Sequence, residues 1–369
     1  MAIMTPIFDR TTTVRFALQP LEAFLKRKDI TEICVNRPGE VFFETRDGWD
    51  SAEVPDLTYE RLMDLGKATA VLAELPFGDA DPILSATLPD GERAQFVQPP
   101  AVEPGLVSLT IRKPSRDVRA LQDYTQSGFF SLVSRNRCSD PVTERLLSLQ
   151  KLFRSPIEEE AEEAILNFFR LAVRSKKSIV IAGETGSGKT TFMKALMQEI
   201  PVEERILTIE DVPELAVGLP KHKNRVSLFY PAEGESSLNA ATLIRSALRM
   251  KPDRILLAEL RGAEAFDFLT ASLTGHGGSI TSCHAGSCAE AFEYLALRVM
   301  QSEAGSQLPY REIRRLLHLA VDIVVHIHAS NGIRQATEIW YDPESKTLAR
   351  TSLPPKTKIF HFGIFKLIV

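Results

Sequence analysis

The sequence has few cysteines and no long apolar run. Four cysteines occur in 369 residues, Cys34, Cys138, Cys283 and Cys288. Their spacing is unpaired, which argues against a disulfide framework and favours reduced thiols. No stretch approaches the ~20 apolar residues of a membrane-spanning helix, and the N-terminus lacks the basic start and apolar run of a secretory signal. We therefore expect any membrane association to be peripheral or through a partner.

An excess of positive charge is also missing. The formal net charge is −4 and the isoelectric point is about 6.1. A dedicated nucleic-acid-binding protein is usually basic, so we do not expect sequence-specific recognition of nucleic acid. Apolar residues make up 44% and charged residues 25% of the chain, which is typical of a globular protein. The length allows two domains of roughly 100–200 residues each.

The first part of the chain, up to residue 134, alternates short apolar runs with turn-forming residues. Its pattern predicts strands at Ile33–Val35, Val41–Glu44, Leu84–Leu88, Ala94–Val97 and Ser108–Arg112. Between them, Tyr59–Leu75 has helical spacing of its apolar residues. Turn sequences that contain Pro and Gly separate the strands of each pair. We therefore predict an N-terminal α+β domain, residues 1–134, with an antiparallel sheet.

The remainder of the chain has a different pattern. Residues 135–163 are charged and contain two prolines, which predicts a linker with one helix inside it. Residues 164–350 alternate buried-type strands with helices, which indicates an α/β domain with a parallel-dominated sheet and right-handed crossovers. Near its end, Asn331 and Gly332 predict the turn of an antiparallel hairpin. Residues 351–369 match no pattern and stay unassigned.

The strongest local motif is a glycine-rich loop between a predicted buried strand and a predicted amphipathic helix. It consists of Gly183, Glu184, Thr185, Gly186, Ser187, Gly188, Lys189 and Thr190, and Thr191 follows. In the G-x-x-x-x-G-K-[ST] pattern, backbone N–H groups bind phosphate oxygens, the lysine reaches the β- and γ-phosphates, and the hydroxyl holds Mg²⁺. The positive end of the helix faces the same anion. The loop predicts a nucleotide site and leaves an ATPase, a GTPase and a small-molecule kinase open.

Acidic residues follow two of the predicted strands. Glu210, Asp211 and Glu214 follow one strand, and Glu259 ends another that lacks the usual metal-holding aspartate. Ligands of open α/β sheets bind at the carboxyl ends of strands, and nucleotide hydrolysis uses one carboxylate to position water and another near the metal. We therefore expect these side chains at the nucleotide site. Their division of roles stays open.

Histidines and arginines supply further candidates. His276 and His284 lie in a glycine-rich stretch at residues 275–286, where a histidine can contact the γ-phosphate or relay a proton. Arg245 and Arg249 lie four residues apart on the predicted helix Leu238–Met250 and would share a face. An arginine of this kind can complete the site of a neighbouring subunit, or it can form a surface salt bridge.

Together these segments resemble the secretion ATPase superfamily, and most of all the hexameric traffic ATPases of bacterial type IV secretion systems. The resemblance covers roughly residues 15–345. It is carried by GETGSGKTT at 183–191, TIEDVPEL at 208–215, MKPDRILLAELRG at 250–262 and GHGGSITSCHAGS at 275–287. In the first domain, ITEICVNRPGEV at 30–41 and SLTIRKPS at 108–115 also look like the family. The resemblance implies a RecA-like ATPase domain that binds ATP and Mg²⁺.

The resemblance also implies roles for individual residues. Lys189 and Thr190 would act on phosphate and metal, and Glu214 would orient the attacking water. Glu259 would support the metal, partly through water. His276 and His284 match the family's histidine box, and His276 would sense the γ-phosphate.

Two arginines and an assembly follow from the same resemblance. Arg112 matches a first-domain arginine that contacts the nucleotide, and Arg249 matches an inter-subunit arginine. The family forms hexameric rings on the cytoplasmic face of the inner membrane, where they work with inner-membrane secretion components in pilus assembly or substrate transfer. The segment 135–163 could allow the first domain to dock on a neighbour's second domain, a domain swap.

Three other functions compete with this one. A pilus-retraction or type II secretion motor is disfavoured because many type II motors carry a four-cysteine metal module that this sequence lacks. A nucleotide-gated scaffold would bind ATP and hardly hydrolyse it, which the acidic segments disfavour. A nucleic-acid translocase is disfavoured by the net negative charge. The sequence does not identify the cargo or the partner subunits.

Overall fold

The computed structural model describes residues 10–115, 118–130, 140–232 and 237–351. Contacts divide the chain into two compact units. The first contains the residues up to Phe168 together with Ile200–Ala258, and the second contains Phe169–Glu199 and the residues from Glu259 on. These units group residues by contact, so the predicted domain boundaries at residues 134 and 163 stay predictions. The unassigned tail lies outside the described residues from residue 352 on.

An antiparallel sheet forms the N-terminal part of the first unit. Its strands are β1 Glu32–Arg37, β2 Glu40–Thr45, β3 Gly48–Glu53, β4 Ile83–Thr87, β5 Arg93–Val97 and β6 Ser108–Arg112. Their order across the sheet is β3-β2-β1-β6-β5-β4. The turns that close β1–β2 and β4–β5 contain Gly39 at φ 82° and Gly91 at φ 95°, which is backbone that glycine adopts without strain. The predicted α+β fold of this part is confirmed.

Helices accompany this sheet and continue beyond it. They are α1 Thr12–Ala17, α2 Glu22–Lys26, α3 Tyr59–Ala73, α4 Leu121–Gln126, α5 Pro141–Lys151 and α6 Glu158–Arg174. Helix α3 begins at the cap Thr58, whose hydroxyl accepts from the Arg61 N–H at 3.3 Å. The helix contributes Leu62 and Leu65 to a buried apolar cluster that includes Ile33 and Phe96 of the sheet. Burial of these side chains holds the helix on the sheet.

The first unit also contains three parallel strands. They are β8 Ile206–Glu210, β9 Arg225–Phe229 and β10 Arg254–Leu257, and they follow β7 Ile179–Gly183 of the second unit in the chain. Strand β8 pairs in parallel with both β9 and β10. Every residue of β8 is buried, as expected of a central parallel strand. Strand β9 lies in a segment without a predicted element, since its short alternation is surrounded by charged residues.

A fully buried arginine joins the antiparallel sheet to these parallel strands within the first unit. The guanidinium of Arg205 donates to Asn36 Oδ1 of β1 at 2.7 Å and to Asn224 Oδ1 at 2.5 Å. Its Nε donates to the Met250 carbonyl at 2.9 Å, and its guanidinium lies 5.8 Å from the Trp49 ring centroid. These contacts satisfy the buried cation with neutral acceptors. They are made within a single chain.

The second unit is built around β7. Its other strands are β11 Ile280–Cys283, β12 Ile323–Ser330 and β13 Ile333–Tyr341. Strand β7 pairs in parallel with β11 and β12, and β13 pairs antiparallel with β12. Asn331 at φ 52° and Gly332 at φ 78° form the turn of that hairpin, which confirms the sequence prediction. The parallel-dominated α/β class is therefore confirmed as well.

The helices of the later part of the chain lie between or after these strands. They are α7 Lys189–Met197, α8 Ala240–Ala247, α9 Glu264–Leu273, α10 Cys288–Met300, α11 Glu303–Ser306, α12 Tyr310–Ala320 and α13 Pro343–Thr351. Among the described helices, none combines the length and apolarity needed to cross a bilayer. Helix α8 is shorter than predicted, because the chain turns after Ala247 to reach Lys251 at φ 54° and Pro252.

Candidate active site

The predicted phosphate loop lies between β7 and α7 of the second unit. Strand β7 is fully buried and ends at Gly183, and α7 begins at Lys189. Gly188 caps the helix in left-handed backbone at φ 98°, and Gly186 has φ 78°. Glycine adopts this left-handed backbone without strain, and the loop leads directly into the helix N-terminus, where the macrodipole favours an anion. The strand–loop–helix context expected from the sequence is confirmed.

Gly183 forms the narrow base of this loop. A Cβ atom at this position would lie 2.4 Å from the Ile327 carbonyl oxygen and 2.7 Å from Ser187 Oγ. Only glycine therefore fits between the loop and β12. Ser187 is 1% exposed, and its Oγ has no hydrogen-bond partner among the described residues. A buried hydroxyl without a partner is costly, which makes this atom a ready contact for a ligand in the loop.

Lys189 is folded back onto the loop. Its Nζ donates to the carbonyl oxygens of Gly183 at 2.8 Å and Glu184 at 3.0 Å. The side chain is 8% exposed, and this burial lowers the pKa of Lys189, while the nearby Glu259 carboxylate acts in the opposite direction. The ammonium is thus held at the loop by acceptors that a phosphate could replace.

Glu259 lies in the second unit and is held by two basic side chains. His284 Nε2 lies 2.5 Å from its Oε1, and the Arg261 guanidinium lies 2.7 Å from its Oε2. The Glu259 side chain is 12% exposed, and that of His284 is 39% exposed. His284 directly follows β11, which places its ring at the carboxylate. The sequence indicates no pairing of His284 with Glu259, because the two residues follow different strands. Arg261 lies only two residues from Glu259, and no role was predicted for it from the sequence.

His276 takes a different position from His284. It lies in the loop after α9, where its N–H donates to the Ala271 carbonyl at 3.3 Å. Its carbonyl accepts from the Ser279 hydroxyl at 3.4 Å. The residue is half-buried. The histidine that the structure brings to Glu259 is therefore His284, and the expected γ-phosphate role of His276 stays a prediction.

The acidic segment after β8 belongs to the first unit, and its two glutamates differ sharply in burial. Glu210 is fully buried and accepts from the backbone N–H groups of Glu214 at 2.7 Å and Leu215 at 2.8 Å, and from the Thr208 hydroxyl at 3.0 Å. Burial raises the pKa of Glu210 against the effect of these donors. Glu214 itself is exposed. Glu210 therefore holds the loop, and Glu214 presents a carboxylate to solvent.

Two further predicted residues, Arg112 and Arg249, also lie in the first unit. Arg112 ends β6 directly opposite Glu32 of β1, and its Nε lies 3.4 Å from Glu32 Oε1. The Glu32 side chain is 4% exposed whereas that of Arg112 is 70% exposed. Arg249 is exposed and lies beyond the end of α8. The expectation that Arg245 and Arg249 share a helix face is therefore wrong, because the helix ends at Ala247 before it reaches Arg249.

The described residues of the second unit fit a nucleotide with Mg²⁺. Gly183 leaves room for close approach of a phosphate, Ser187 Oγ lacks a partner, and Lys189 supplies a cation. The half-buried Thr190 hydroxyl and the Glu259 carboxylate are oxygen donors of the kind that Mg²⁺ prefers. A strand, phosphate loop and helix with this lysine and carboxylate define a P-loop nucleotide hydrolase.

Comparisons with known proteins place the chain within a family. The family described as Type II/IV secretion system protein matches residues 137–329. The type IV secretion system protein VirB11 of Brucella suis is 54% identical over 347 residues, which cover 91% of this chain and 92% of the relative. The PtlH homologue of Bordetella bronchiseptica, also a type IV secretion system protein, is 45% identical over 90% of this chain and 96% of its own length.

A solved structure agrees with these relatives. The crystal structure of the VirB11 ATPase from the Brucella suis type IV secretion system, in complex with sulphate, superposes with a TM-score of 0.85. The two sequences are 52% identical, and the match covers 92% of this chain and 98% of that one. This chain therefore belongs to the type II/IV secretion ATPase family, on its type IV branch, and is a P-loop ATPase. The resemblance stated from the sequence motifs is confirmed.

Proposed function

We propose that this ATPase works as a homohexameric motor at the cytoplasmic face of the inner membrane. There it would power pilus assembly and substrate transfer together with inner-membrane components of a type IV secretion system. The proposal is supported by the identity to type IV secretion proteins along nearly the whole chain. The observation that carries the enzymatic part is the phosphate loop with Lys189 held at its carbonyls.

The nucleotide would be ATP, bound at Gly183, Glu184, Thr185, Gly186, Ser187, Gly188, Lys189, Thr190 and Thr191. Backbone N–H groups of this loop would bind the phosphate oxygens, and Lys189 would exchange its carbonyl acceptors for the β- and γ-phosphates. Mg²⁺, held by Thr190 and through Glu259, would supply charge neutralisation at those phosphates. The buried position of Lys189 strengthens its attraction for phosphate, because water screens it weakly.

Two acidic residues would share the chemistry of hydrolysis. Glu214 would orient the attacking water, in line with the resemblance and with its exposed carboxylate. Glu259 would act on the metal side, where Arg261 donates to its Oε2 and His284 Nε2 lies 2.5 Å from its Oε1. Glu210 would hold the backbone of the acidic loop and have no part in the reaction itself. We assign these different roles because Glu210 is buried whereas Glu214 is exposed.

The remaining predicted residues would act on nucleotide and assembly. Arg112 would contact the nucleotide, and Arg249 would act across a subunit boundary. Both are exposed, as a residue that meets a ligand or a neighbour must be before binding. His276 would sense the γ-phosphate. These roles come from the family resemblance and are tested by substitution.

The domain division proposed from the sequence is retained, with a first domain at 1–134, a linker at 135–163 and an ATPase domain at 164–350. The domain swap, in which the first domain docks on a neighbour's second domain, stays a prediction. Arg205 contacts Asn36 and Trp49, and Lys251 forms an ion pair of 2.8 Å with Glu44, all within one chain. A swapped docking would transfer such contacts to a neighbour.

The deciding experiment measures the molar mass of the assembly and its rate of ATP hydrolysis on the same sample. Light scattering with and without Mg²⁺–ATP should give a hexamer, and steady-state ATPase activity should vanish in Lys189→Ala. Retained turnover in Lys189→Ala would refute the assignment of the site. A monomer that binds ATP without turnover would favour a nucleotide-gated scaffold over the motor.

A further inference from the structure

Strand β13 brings an arginine to the phosphate loop that sequence motifs do not contain. Strand β12 runs beside β7 with Ile327 in register with Gly183. Beyond that point, the Asn331–Gly332 turn reverses the chain, and Arg334 pairs with Ala329. The hairpin therefore places the start of β13 at the side of the loop, within the second unit.

The side chain of Arg334 lies against Gly188. A Cβ atom at Gly188 would be 3.0 Å from Arg334 Cδ and 3.6 Å from Arg334 Nε. Gly188 is the loop residue that caps α7 with φ 98°. The arginine thus occupies the space that a side chain at position 188 would fill, and its guanidinium begins next to the N-terminus of the helix.

Among the described residues, none neutralises the charge of Arg334. Arg334 is exposed, and its side chain makes no hydrogen bond or ion pair with any residue of the described ranges. By contrast, Arg261 is paired with Glu259, and Lys189 donates to two loop carbonyls. An arginine without an anionic partner beside an anion-binding helix end is suited to a phosphate, since its planar fork binds phosphate oxygens in pairs.

We propose that Arg334 binds the α- and β-phosphates of the nucleotide held in the loop. This inference rests on the proposed binding of ATP at residues 183–191. The loop backbone cradles the α- and β-phosphates, whereas the lysine reaches the β- and γ-phosphates. Because Arg334 packs against the loop glycine Gly188, its guanidinium contacts the α- and β-phosphates. It therefore contributes equally to the binding of ATP and ADP and leaves the bond-breaking step to other groups.

The test compares nucleotide affinity with turnover in the full-length chain. Binding of a fluorescent ADP analogue with Mg²⁺ is titrated for the wild type, Arg334→Ala, Arg334→Lys and the control Gln335→Ala. A lost charge-assisted contact should raise the Kd of Arg334→Ala by about 10- to 100-fold. The KM for ATP should rise by a similar factor while kcat stays within about threefold. Arg334→Lys should recover part of the affinity, and the exposed neighbour Gln335→Ala should match the wild type.

Other outcomes separate this inference from the proposed function. Equal ADP affinity in Arg334→Ala and the wild type would overturn the role of Arg334, provided that Lys189→Ala abolishes binding in the same assay. A loss of kcat with unchanged ADP affinity would also overturn it, since the arginine would then act on the γ-phosphate. A wild-type chain that binds no nucleotide would overturn the proposed function and this inference together. Thermal unfolding without nucleotide, unchanged in Arg334→Ala, excludes a folding defect.

Discussion

His284 Nε2 lies 2.5 Å from Glu259 Oε1 and holds the carboxylate that the phosphate-loop lysine faces. The contact joins the end of β11 to the segment after β10. Together with the hydrogen bond from Arg261 Nε to Glu259 Oε2 at 2.8 Å, it places both neighbours of a carboxylate near a metal, and such neighbours commonly determine the geometry of a metal-binding group. The residues closest to the predicted chemistry are thus supported by a histidine and an arginine.

The first prediction concerns that histidine. His284→Ala should lower kcat by roughly 10- to 100-fold, the usual effect of removing a group that orients a metal-side carboxylate. The required Mg²⁺ concentration should rise as well. Steady-state ATPase assays over a Mg²⁺ series measure both. His328→Ala is the matched control, because His328 is exposed on β12 and has no proposed role at the nucleotide, so its activity should equal that of the wild type. Full activity of His284→Ala would contradict the supporting role.

The second prediction separates the two glutamates of the acidic loop. Glu214→Gln should fold normally and lose at least about 100-fold in kcat, as expected when a water-positioning base is removed. Glu210→Ala should destabilise the fold by about 1–3 kcal/mol, because two backbone N–H groups lose their buried acceptor. Chemical denaturation and ATPase assays of both variants are the measurements. Normal stability of Glu210→Ala would show that its contacts are dispensable.

The third prediction tests the narrow base of the phosphate loop. Gly183→Ala should reduce stability without nucleotide by about 1–3 kcal/mol, because its methyl group would meet the Ile327 carbonyl at 2.4 Å. Gly186→Ala is the control, since a Cβ there has nothing within 4 Å. It should cost only the strain of left-handed backbone, about 1 kcal/mol. Thermal unfolding measures the stability of both variants. Equal losses of stability in Gly183→Ala and Gly186→Ala would contradict the close contact at Gly183.

The fourth prediction uses pH. Burial raises the pKa of Glu32 to about 7 from the ordinary 4.5, although Arg112 and Lys251 act to lower it and Glu44 to raise it further. Between these two values the folded chain keeps a proton that the unfolded chain releases. Stability should therefore fall as pH rises through this window, by up to about 3 kcal/mol.

Glu32→Gln removes that titration. Its unfolding free energy should fall less than that of the wild type between pH 5 and pH 8, because the amide carries no charge to bury. Urea denaturation at the two pH values measures the difference, and the exposed Glu53→Gln serves as the control. If the unfolding free energies of Glu32→Gln and the wild type depend on pH in the same way, the prediction is wrong.

Local patterns in the sequence predict the elements best. The phosphate loop, the strands around it and the Asn331–Gly332 hairpin depend on residues that are adjacent in the chain, so each carries its own pattern. Strand β3 has no predicted counterpart because GWDSAE is mostly exposed and lacks an apolar alternation. Strand β9 has no predicted counterpart because charged residues surround its short alternation. Helix α12 does carry a helical pattern, since its buried residues Ile313, Leu317 and Ala320 recur at helical spacing, although no helix was assigned there from the sequence.

Contacts between separate elements could not be predicted from the sequence. The pairing of His284 with Glu259 requires knowledge of two strand ends, and the approach of Arg334 to Gly188 requires the register of β12 against β7. The different burial of Glu210 and Glu214 depends on a loop that folds back over β8. The family resemblance assigns no role to Arg261, although this residue lies within the motif at 250–262, and Arg334 lies outside the quoted motifs.

Strand β8 has a mechanical consequence. Its five residues are all buried, Arg205 precedes it, and Glu210 is its last residue. Arg205 thus links the start of β8 to Asn36 of the antiparallel sheet. At the other end, the Glu210 carboxylate accepts a hydrogen bond from the backbone N–H of Glu214. Because both ends of the buried strand are held by hydrogen bonds, we expect the acidic loop and the antiparallel sheet of the first unit to move as one body.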